Sequence, residues 1–163
     1  MAKPYKKKPP HKSNEDLRNE GIALIRNSLK ARSICEPLLD SYFGEMDDIS
    51  DVNWACYLMS QSIELALKGL IKYYYEDFRE GHFVRFNAKK VEELSEEYVE
   101  LREIADILAD LQSSLAVTLV KWESISRYKD IFVNKQQIER VDTLLDDLAA
   151  FLRRHDFVNN SEN

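Results

Sequence analysis

Apolar side chains recur every three or four positions along most of this chain, which is the spacing of one face of an α-helix. The first such stretch follows Ser13, whose hydroxyl can accept a backbone N–H at a helix start. Its regularly spaced residues are Leu17, Gly21, Leu24, Ile25 and Leu29. Pro37 and then Gly44 are expected to interrupt or end this first helix, because proline lacks the N–H that a helix interior needs.

A second helix is predicted over residues 52–78, after the start signal formed by Ser50 and Asp51. Its apolar residues point in many directions instead of forming one stripe. They are Trp54, Tyr57, Leu58, Ile63, Leu65, Leu67, Leu70, Ile71 and Tyr74. A helix that is apolar on most sides belongs at the centre of a helical bundle.

Three polar residues lie on one face of this central helix. Gln61, Glu64 and Lys68 are spaced three and four positions apart, which places them in one row along the helix. Glu64 can pair with Lys68 in the favourable orientation, with the aliphatic stems of both side chains covering the core. The row therefore has a purely structural interpretation, and it is also the first candidate for a ligand site.

A third apolar pattern extends over residues 91–115 and alternates spacings of three and four like a heptad repeat. Its members are Val91, Leu94, Tyr98, Leu101, Ala105, Leu108, Gln112 and Leu115. The pattern predicts long helical packing, either inside the bundle or across a dimer interface, and it fits one helix or two. After Asn134, a favourable cap residue, a last helix is expected. It carries Ile138, Val141, Leu145, Leu148 and Leu152.

These patterns predict an all-α fold, an up-and-down helical bundle of four to five helices over residues 13–155. The chain has 163 residues with only four Gly and four Pro, which suits one helical core that needs no disulfide or metal to fold. Residues 156–163 are expected to be a frayed C-terminus.

The charge is distributed unevenly. The net charge is −6, but residues 1–12 hold five lysines and no acid. The rest of the chain has 18 basic against 29 acidic side chains, so its bulk charge disfavours nucleic acid. Prolines among the lysines predict a disordered basic tail, and only this tail weakly suggests contact with nucleic acid.

The sequence lacks the motifs of several common binding and catalytic sites. The four glycines are isolated, so no phosphate-binding loop is present, and no histidine has metal-motif spacing to Cys35 or Cys56. Cys56 lies in the most apolar helix, where a buried, inert thiol is expected. No cofactor and no metal is expected. The absence of a signal sequence and of a long apolar run predicts a cytoplasmic protein with no membrane segment.

Two short motifs stand in a recognisable order. The segment Gln61-Ser-Ile-Glu64-Leu-Ala-Leu-Lys68 is followed, fourteen residues after Lys68, by His82. Ser126-Arg127-Tyr128-Lys129-Asp130 comes later, before the last predicted helix. In this order and spacing the chain resembles the HEPN family (higher eukaryotes and prokaryotes nucleotide-binding) over roughly residues 15–155. That family has a Gln-x-x-Glu-x-x-x-Lys helix, then a His, and later an Ala-Arg-Tyr-Pro element.

The resemblance implies an up-and-down bundle, frequently a homodimer, often beside a minimal nucleotidyltransferase partner, and related to toxin–antitoxin systems. Many members are metal-independent ribonucleases with an Arg and a His that are separated by roughly four to six residues. Here Arg79 lies only three positions before His82, and no histidine follows Arg127 within reach. The nuclease pair is therefore absent. Lys129 also stands where the family element often has Pro, which leaves the shape of that loop open.

The favoured hypothesis is a non-catalytic binding module for a nucleotide or a partner protein, because a cation, an imidazole and an aromatic face suit a phosphate and a base. Its candidate ligand-binding residues are Gln61, Glu64, Lys68, His82, Arg127 and Tyr128. Each also has a structural interpretation, as an ion pair, a helix cap or a brace of the connection. Two alternatives stay open: a drifted HEPN ribonuclease toxin, and a protein that only dimerises or interacts through its heptad-like seam.

Overall fold

The computed structural model describes residues 13–43, 49–74, 83–125, 134–155 and 157. Within them the chain forms six α-helices and one short 3-10 helix, and no strand. The helices are α1 (Asn14–Phe43), α2 (Ile49–Tyr73), α3 (Val84–Leu94), the 3-10 helix (Val99–Ile104), α4 (Ala105–Leu111), α5 (Leu115–Ile125) and α6 (Lys135–Arg154). The all-α helical bundle predicted from the sequence is confirmed. The basic tail predicted over residues 1–12 lies outside the described residues.

Helix α1 begins where the sequence predicts and continues further than expected. The backbone N–H of Asp16 donates to Ser13 Oγ at 3.1 Å, which confirms the N-terminal cap. Pro37 lies inside α1, so the predicted interruption at this residue is wrong. Pro37 and Ser33 are both exposed, so water can satisfy the Ser33 carbonyl that proline leaves without a helical donor.

Helices α1 and α2 are antiparallel and meet through small residues spaced seven apart on each helix. The facing pairs are Gly21 with Gly69, Ser28 with Ser62, and Cys35 with Ala55. A Cβ atom added at Gly21 would lie 2.6 Å from the Gly69 carbonyl oxygen and 2.6 Å from the backbone nitrogen of Tyr73. At this level the two helices therefore touch backbone to backbone.

Reciprocal hydrogen bonds join the two helices one level further along. Ser28 Oγ donates to the Ser62 carbonyl at 2.6 Å, and Ser62 Oγ donates to the Ser28 carbonyl at 2.9 Å. Both serines are buried, and a buried hydroxyl without a partner is costly. The mutual bonds fix the register of α1 against α2, and the thiol of Cys35 donates to the Ala55 carbonyl at 3.6 Å.

The heptad-like seam of residues 91–115 lies inside one chain. Val91, Leu94, Leu101, Leu108 and Leu115 are all buried in the core. The fold of one chain therefore uses these five residues, whereas Tyr98 and Gln112 are partly exposed and Ala105 is exposed.

The same region is divided among α3, the 3-10 helix, α4 and the start of α5, instead of forming one or two helices. At the first break Ser95 Oγ donates to the Glu92 carbonyl at 2.5 Å, and at the second Ser113 Oγ donates to the Asp110 carbonyl at 2.5 Å. Such local bonds compete with helix continuation, and apolar spacing alone does not reveal them.

Helix α6 closes the bundle. Its start is capped as predicted, since the backbone N–H of Gln136 donates to Asn134 Oδ1 at 2.9 Å. The predicted apolar row on α6 is buried. Most of the expected frayed C-terminus lies outside the described residues, but Phe157 is buried and its ring centroid lies 4.7 Å from that of Tyr73. The packed part of the chain thus includes Phe157.

Candidate functional site

Helix α2 is buried on most of its surface, as predicted, and keeps one less buried stripe. This stripe consists of Trp54, Leu58, Gln61, Leu65, Lys68 and Lys72, spaced three or four apart. Gln61 and Lys68 lie on the stripe, while Glu64 lies at its edge and is buried. The structure therefore places three of the six predicted ligand-binding residues together on one side of the central helix.

Glu64 and Lys68 form the ion pair that their spacing predicts. Lys68 Nζ donates to Glu64 Oε1 at 2.5 Å. The Lys68 side chain is 24% exposed, whereas the Glu64 side chain is 7% exposed. A buried carboxylate needs a charged partner, so the pair explains both residues structurally. It also holds a cation at a defined place at the edge of the solvent.

A second lysine on the stripe has nearly the same surroundings. Lys72 Nζ lies 2.5 Å from Glu20 Oε2 of α1, and its side chain is 23% exposed. Next to it Arg18 donates to the Tyr73 hydroxyl at 2.5 Å and lies over the Tyr73 ring, 4.6 Å from its centroid. These contacts tie the C-terminal part of α2 to the start of α1, whereas the Glu64–Lys68 pair lies within α2 alone.

The other three predicted residues, His82, Arg127 and Tyr128, lie outside the described residues, as does Arg79 of the broken nuclease pair. Their convergence on Lys68 stays a prediction. The described helices end close to them in sequence: α3 begins at Val84, and α5 ends at Ile125. The flanking residues of these two helices are therefore the nearest described surroundings of that part of the predicted site.

Between α3 and α5 lies a feature that the sequence reasoning missed. It is an open, almost wholly apolar groove of about 450 Å³, named here the α3–α5 groove. Its lining residues are Phe83, Val84, Arg85, Phe86, Ala116, Val117, Val120 and Lys121. Val84 and Ala116 are buried, while Phe83 and Phe86 are 57% and 60% exposed and Val117 is also exposed. Large apolar side chains thus face solvent on both walls.

Two sequence signals could have revealed this groove. Helix α5 is apolar on nearly all sides although it does not lie at the centre of the bundle. Helix α3 begins at Val84, its N-cap residue Phe83 makes no side-chain hydrogen bond to the helix start, and its first turn has no acid. Phe83 and Phe86 pack edge to face, with ring centroids 5.9 Å apart. A helix start that lacks favourable capping residues but carries two aromatic rings is a recognisable departure from the usual pattern.

Nucleophilic and metal-binding chemistry finds little support in the described part of the chain. Burial raises the pKa of the Cys35 and Cys56 thiols to about 12, so both are protonated at neutral pH, as expected for inert buried thiols. His155 Nε2 lies 3.0 Å from Glu103 Oε1 and fastens the end of α6 to the 3-10 helix. Among the described residues no three His, Cys, Asp or Glu side chains are grouped to hold a metal ion.

Together the fold and the α2 stripe define an all-α bundle with a polar row on its central helix. The sequence model of the HEPN domain matches residues 45–154, about two thirds of the chain, and the chain therefore belongs to the HEPN domain family. The match begins before α2 and ends with α6, so α1 lies outside it although α1 makes the closest helix contact. No curated protein and no solved structure matches the chain. No helix within the described residues is long and apolar enough to cross a membrane.

Proposed function

We propose that this HEPN domain is a non-catalytic binding module that binds a nucleotide-sized anion beside Lys68. The observation that carries the proposal is the Glu64–Lys68 pair: the buried carboxylate of Glu64 holds the Lys68 ammonium at 2.5 Å, at the solvent edge of α2. A cation positioned before the ligand arrives loses less side-chain entropy on binding. Gln61, seven residues or about two turns before Lys68 on the same stripe, adds an amide that can donate to or accept from a base.

Family membership supports the class of ligand, because HEPN domains are nucleotide-binding or ribonuclease-like modules. The non-catalytic assignment rests on the sequence, where Arg79 is only three residues before His82. In-line attack by a ribose 2′-hydroxyl needs a positioned acid or base and a cation for the developing phosphorane charge. Purified protein is therefore expected not to turn over RNA. Turnover that is lost on changing His82→Ala would replace the binding module with the drifted ribonuclease.

The decisive experiment compares two lysines with matched surroundings. Lys68→Ala and Lys72→Ala each remove a partly exposed ammonium of α2 that lies 2.5 Å from a glutamate oxygen, which belongs to Glu64 of α2 for Lys68 and to Glu20 of α1 for Lys72. Calorimetry with ATP, GTP, cyclic dinucleotides and a short RNA should show binding to the wild type. Lys68→Ala should weaken it at least about tenfold, since a charge-assisted bond contributes about 1.5–3 kcal/mol. Lys72→Ala should leave it unchanged.

Two results would contradict this proposal. Equal losses for Lys68→Ala and Lys72→Ala would mean that bulk charge, and not a built site, attracts the anion. Absence of binding to the wild type throughout the panel would leave the Glu64–Lys68 pair with its structural role alone. Arg127→Ala extends the test to a predicted residue outside the described part, where a tenfold loss is again expected if Arg127 contacts the phosphate.

A homodimer and a minimal nucleotidyltransferase partner complete the proposal, both as the family resemblance implies. The homodimer does not rest on the five buried residues of the heptad-like seam, because the fold of one chain already uses them. Light scattering over a concentration series tests the homodimer, and co-purification with the product of a neighbouring nucleotidyltransferase gene tests the other partner. A strict monomer would remove the dimer and leave the binding module in place.

A further inference from the structure

The α3–α5 groove is an open and almost wholly apolar surface between two of the described helices. Phe86 and Val117 stand exposed on opposite walls, and the buried residues Val84 and Ala116 form its base. Solvent-facing apolar residues clustered in a groove mark an interaction surface more often than scattered ones do. A volume of about 450 Å³ accommodates about two or three apolar side chains, the number that one face of a helix inserts into a groove.

The local sequence of α3 indicates that these residues are kept for a reason other than helix stability. Phe83 occupies the N-cap position with extended backbone angles of φ −90° and ψ 109°, yet its ring cannot accept a hydrogen bond from the helix start. Arg85 adds a cation to the first turn, near the positive end of the helix dipole. Both choices are unfavourable for a helix start. Positions that break local rules without a compensating contact tend to serve function.

The charged residues around the groove indicate what kind of partner would bind there. Arg85 and Lys121 are the charged residues among those that line it, and Lys89 is exposed one turn further along α3. Arg85 and Lys89 have no ion pair within the described residues. This cationic rim stands out in a chain whose net charge is −6. A partner with acidic side chains beside its apolar anchors would match the groove.

Other occupants fit less well. Two copies that met groove to groove would bring the cationic rims of both chains together, which opposes association. A single-stranded nucleic acid stacks its bases on planar rings; Phe83 and Phe86 supply such rings on one wall only, and the other wall is formed by the aliphatic Val117 and Val120. A small ligand needs convergent polar groups to fix its orientation, and the groove is almost wholly apolar.

We infer that the α3–α5 groove docks an acidic amphipathic helix of a partner protein. The helix inserts apolar residues at i, i+3 or i+4, and i+7 between Phe86 and Val117, and its flanking carboxylates meet the rim at Arg85 and Lys89. This site is separate from the anion proposed beside Lys68, so either proposal can fail without the other.

The test uses fluorescein-labelled helical peptides of about 18 residues with leucine at i, i+3 or i+4, and i+7. Each is made in two versions that differ only in the flanking residues, glutamate in one and lysine in the other. Fluorescence anisotropy with the full chain should show that the glutamate peptides bind at least about tenfold more tightly than the lysine peptides. Phe86→Ser and Val117→Ser should each weaken this binding severalfold or more, and Arg85→Glu should reverse the preference.

Val99→Ser is the matched control, because Val99 is 63% exposed but does not line the groove. It should leave peptide binding unchanged, and circular dichroism should show native helix content for every variant. Equal affinity for both peptide versions, or no binding of either, would overturn the inference. So would a concentration-dependent dimer that Phe86→Ser dissociates, which would make a second copy the occupant, or tighter binding of a short RNA that Phe86→Ser abolishes.

Discussion

Helices α1 and α2 approach until backbone meets backbone, whereas α3 and α5 leave an open apolar groove between them. At Gly21 there is no space for even one added carbon, and one level away Ser28 and Ser62 satisfy each other's hydroxyls. In the groove, Phe86 is 60% exposed. The α1–α2 interface is completely packed within the fold, whereas the α3–α5 groove leaves apolar surface exposed to solvent.

The two regions also differ in how the helices begin. Helix α1 starts with a capping hydroxyl from Ser13, and α6 starts with a capping amide from Asn134. Helix α3, which forms one wall of the groove, starts after the N-cap residue Phe83 without any such bond. In α1 and α6 the residue at the helix start favours the helix that forms there, whereas at the groove the residue at the start of α3 does not.

The largest effect is expected at the closed interface. Gly21→Ala should lower the free energy of unfolding by about 3 kcal/mol, because the new methyl group would lie 2.6 Å from backbone atoms of α2 that cannot move aside as a side chain can. In an isolated helix the same change would be favourable by about 1 kcal/mol. Steric contact with α2 and helix propensity therefore predict opposite signs for the change in the free energy of unfolding. Urea unfolding monitored by circular dichroism decides between them, and a more stable variant would show that the helices are not in backbone contact.

Arg32 should give the next largest effect. Its side chain is only 3% exposed and lies 2.6 Å from both Asp142 and Asp146 of α6. Burial acts to lower the pKa of Arg32, but hydrogen bonds with the two aspartates outweigh it and the pKa is raised. Arg32→Met should cost about 1–2 kcal/mol, because it leaves two carboxylates without their cation, while water screens the 64% exposed Asp146.

Arg140→Met is the control for this prediction. Arg140 bonds to Asp110 at 3.0 Å, with both partners exposed, and exposed pairs contribute about 0–1 kcal/mol. Equal unfolding midpoints for the two variants in urea would mean that the buried guanidinium does not join α1 to α6.

Much of the scaffold could be predicted from the sequence because its signals are local and periodic. The caps at Ser13 and Asn134, the central position of α2 and the Glu64–Lys68 pair all follow from residue type and spacing. The breaks at Ser95 and Ser113 could not be predicted, because a serine bond to a nearby carbonyl competes with the helix without disturbing the apolar pattern.

The site was less predictable because it depends on what remains uncovered after folding. Phe86 and Val117 are apolar, and apolar residues are assigned to the core by default, since a sequence does not show which faces stay without a neighbour. The close contact at Gly21 could have been predicted, because small residues recur every seven positions on both helices. No sequence pattern predicts the ion pairs of Arg32 with Asp142 and Asp146, since pairing across more than one hundred residues depends on the tertiary fold.

The closed interface also predicts a response to alkaline pH. Burial raises the pKa of Cys35 and Cys56 to about 12, whereas the pKa of an unfolded thiol is about 8.5. Above that pH the unfolded chain loses protons that the folded chain keeps, so the free energy of unfolding falls as pH rises. Between pH 7 and about pH 9 the loss should approach 1 kcal/mol for each thiol. The Cys35→Ala, Cys56→Ala double variant, measured by urea unfolding at both pH values, should lose correspondingly less; equal losses would contradict the assignment.

The smallest expected change is a gain in stability at the groove. Phe83→Asp places a carboxylate at an N-cap whose backbone angles already suit one, where it can accept a backbone N–H and face the positive end of the helix dipole. Some burial of the half-exposed ring is lost, so the net gain should be about 0.5–1 kcal/mol. The same variant should bind the glutamate-flanked peptide far more weakly, because it removes a wall of the groove and adds a negative charge. Thermal unfolding and anisotropy on one preparation measure both effects. Loss of stability together with unchanged peptide binding would show that Phe83 stabilises the fold by packing and does not contribute to a binding surface.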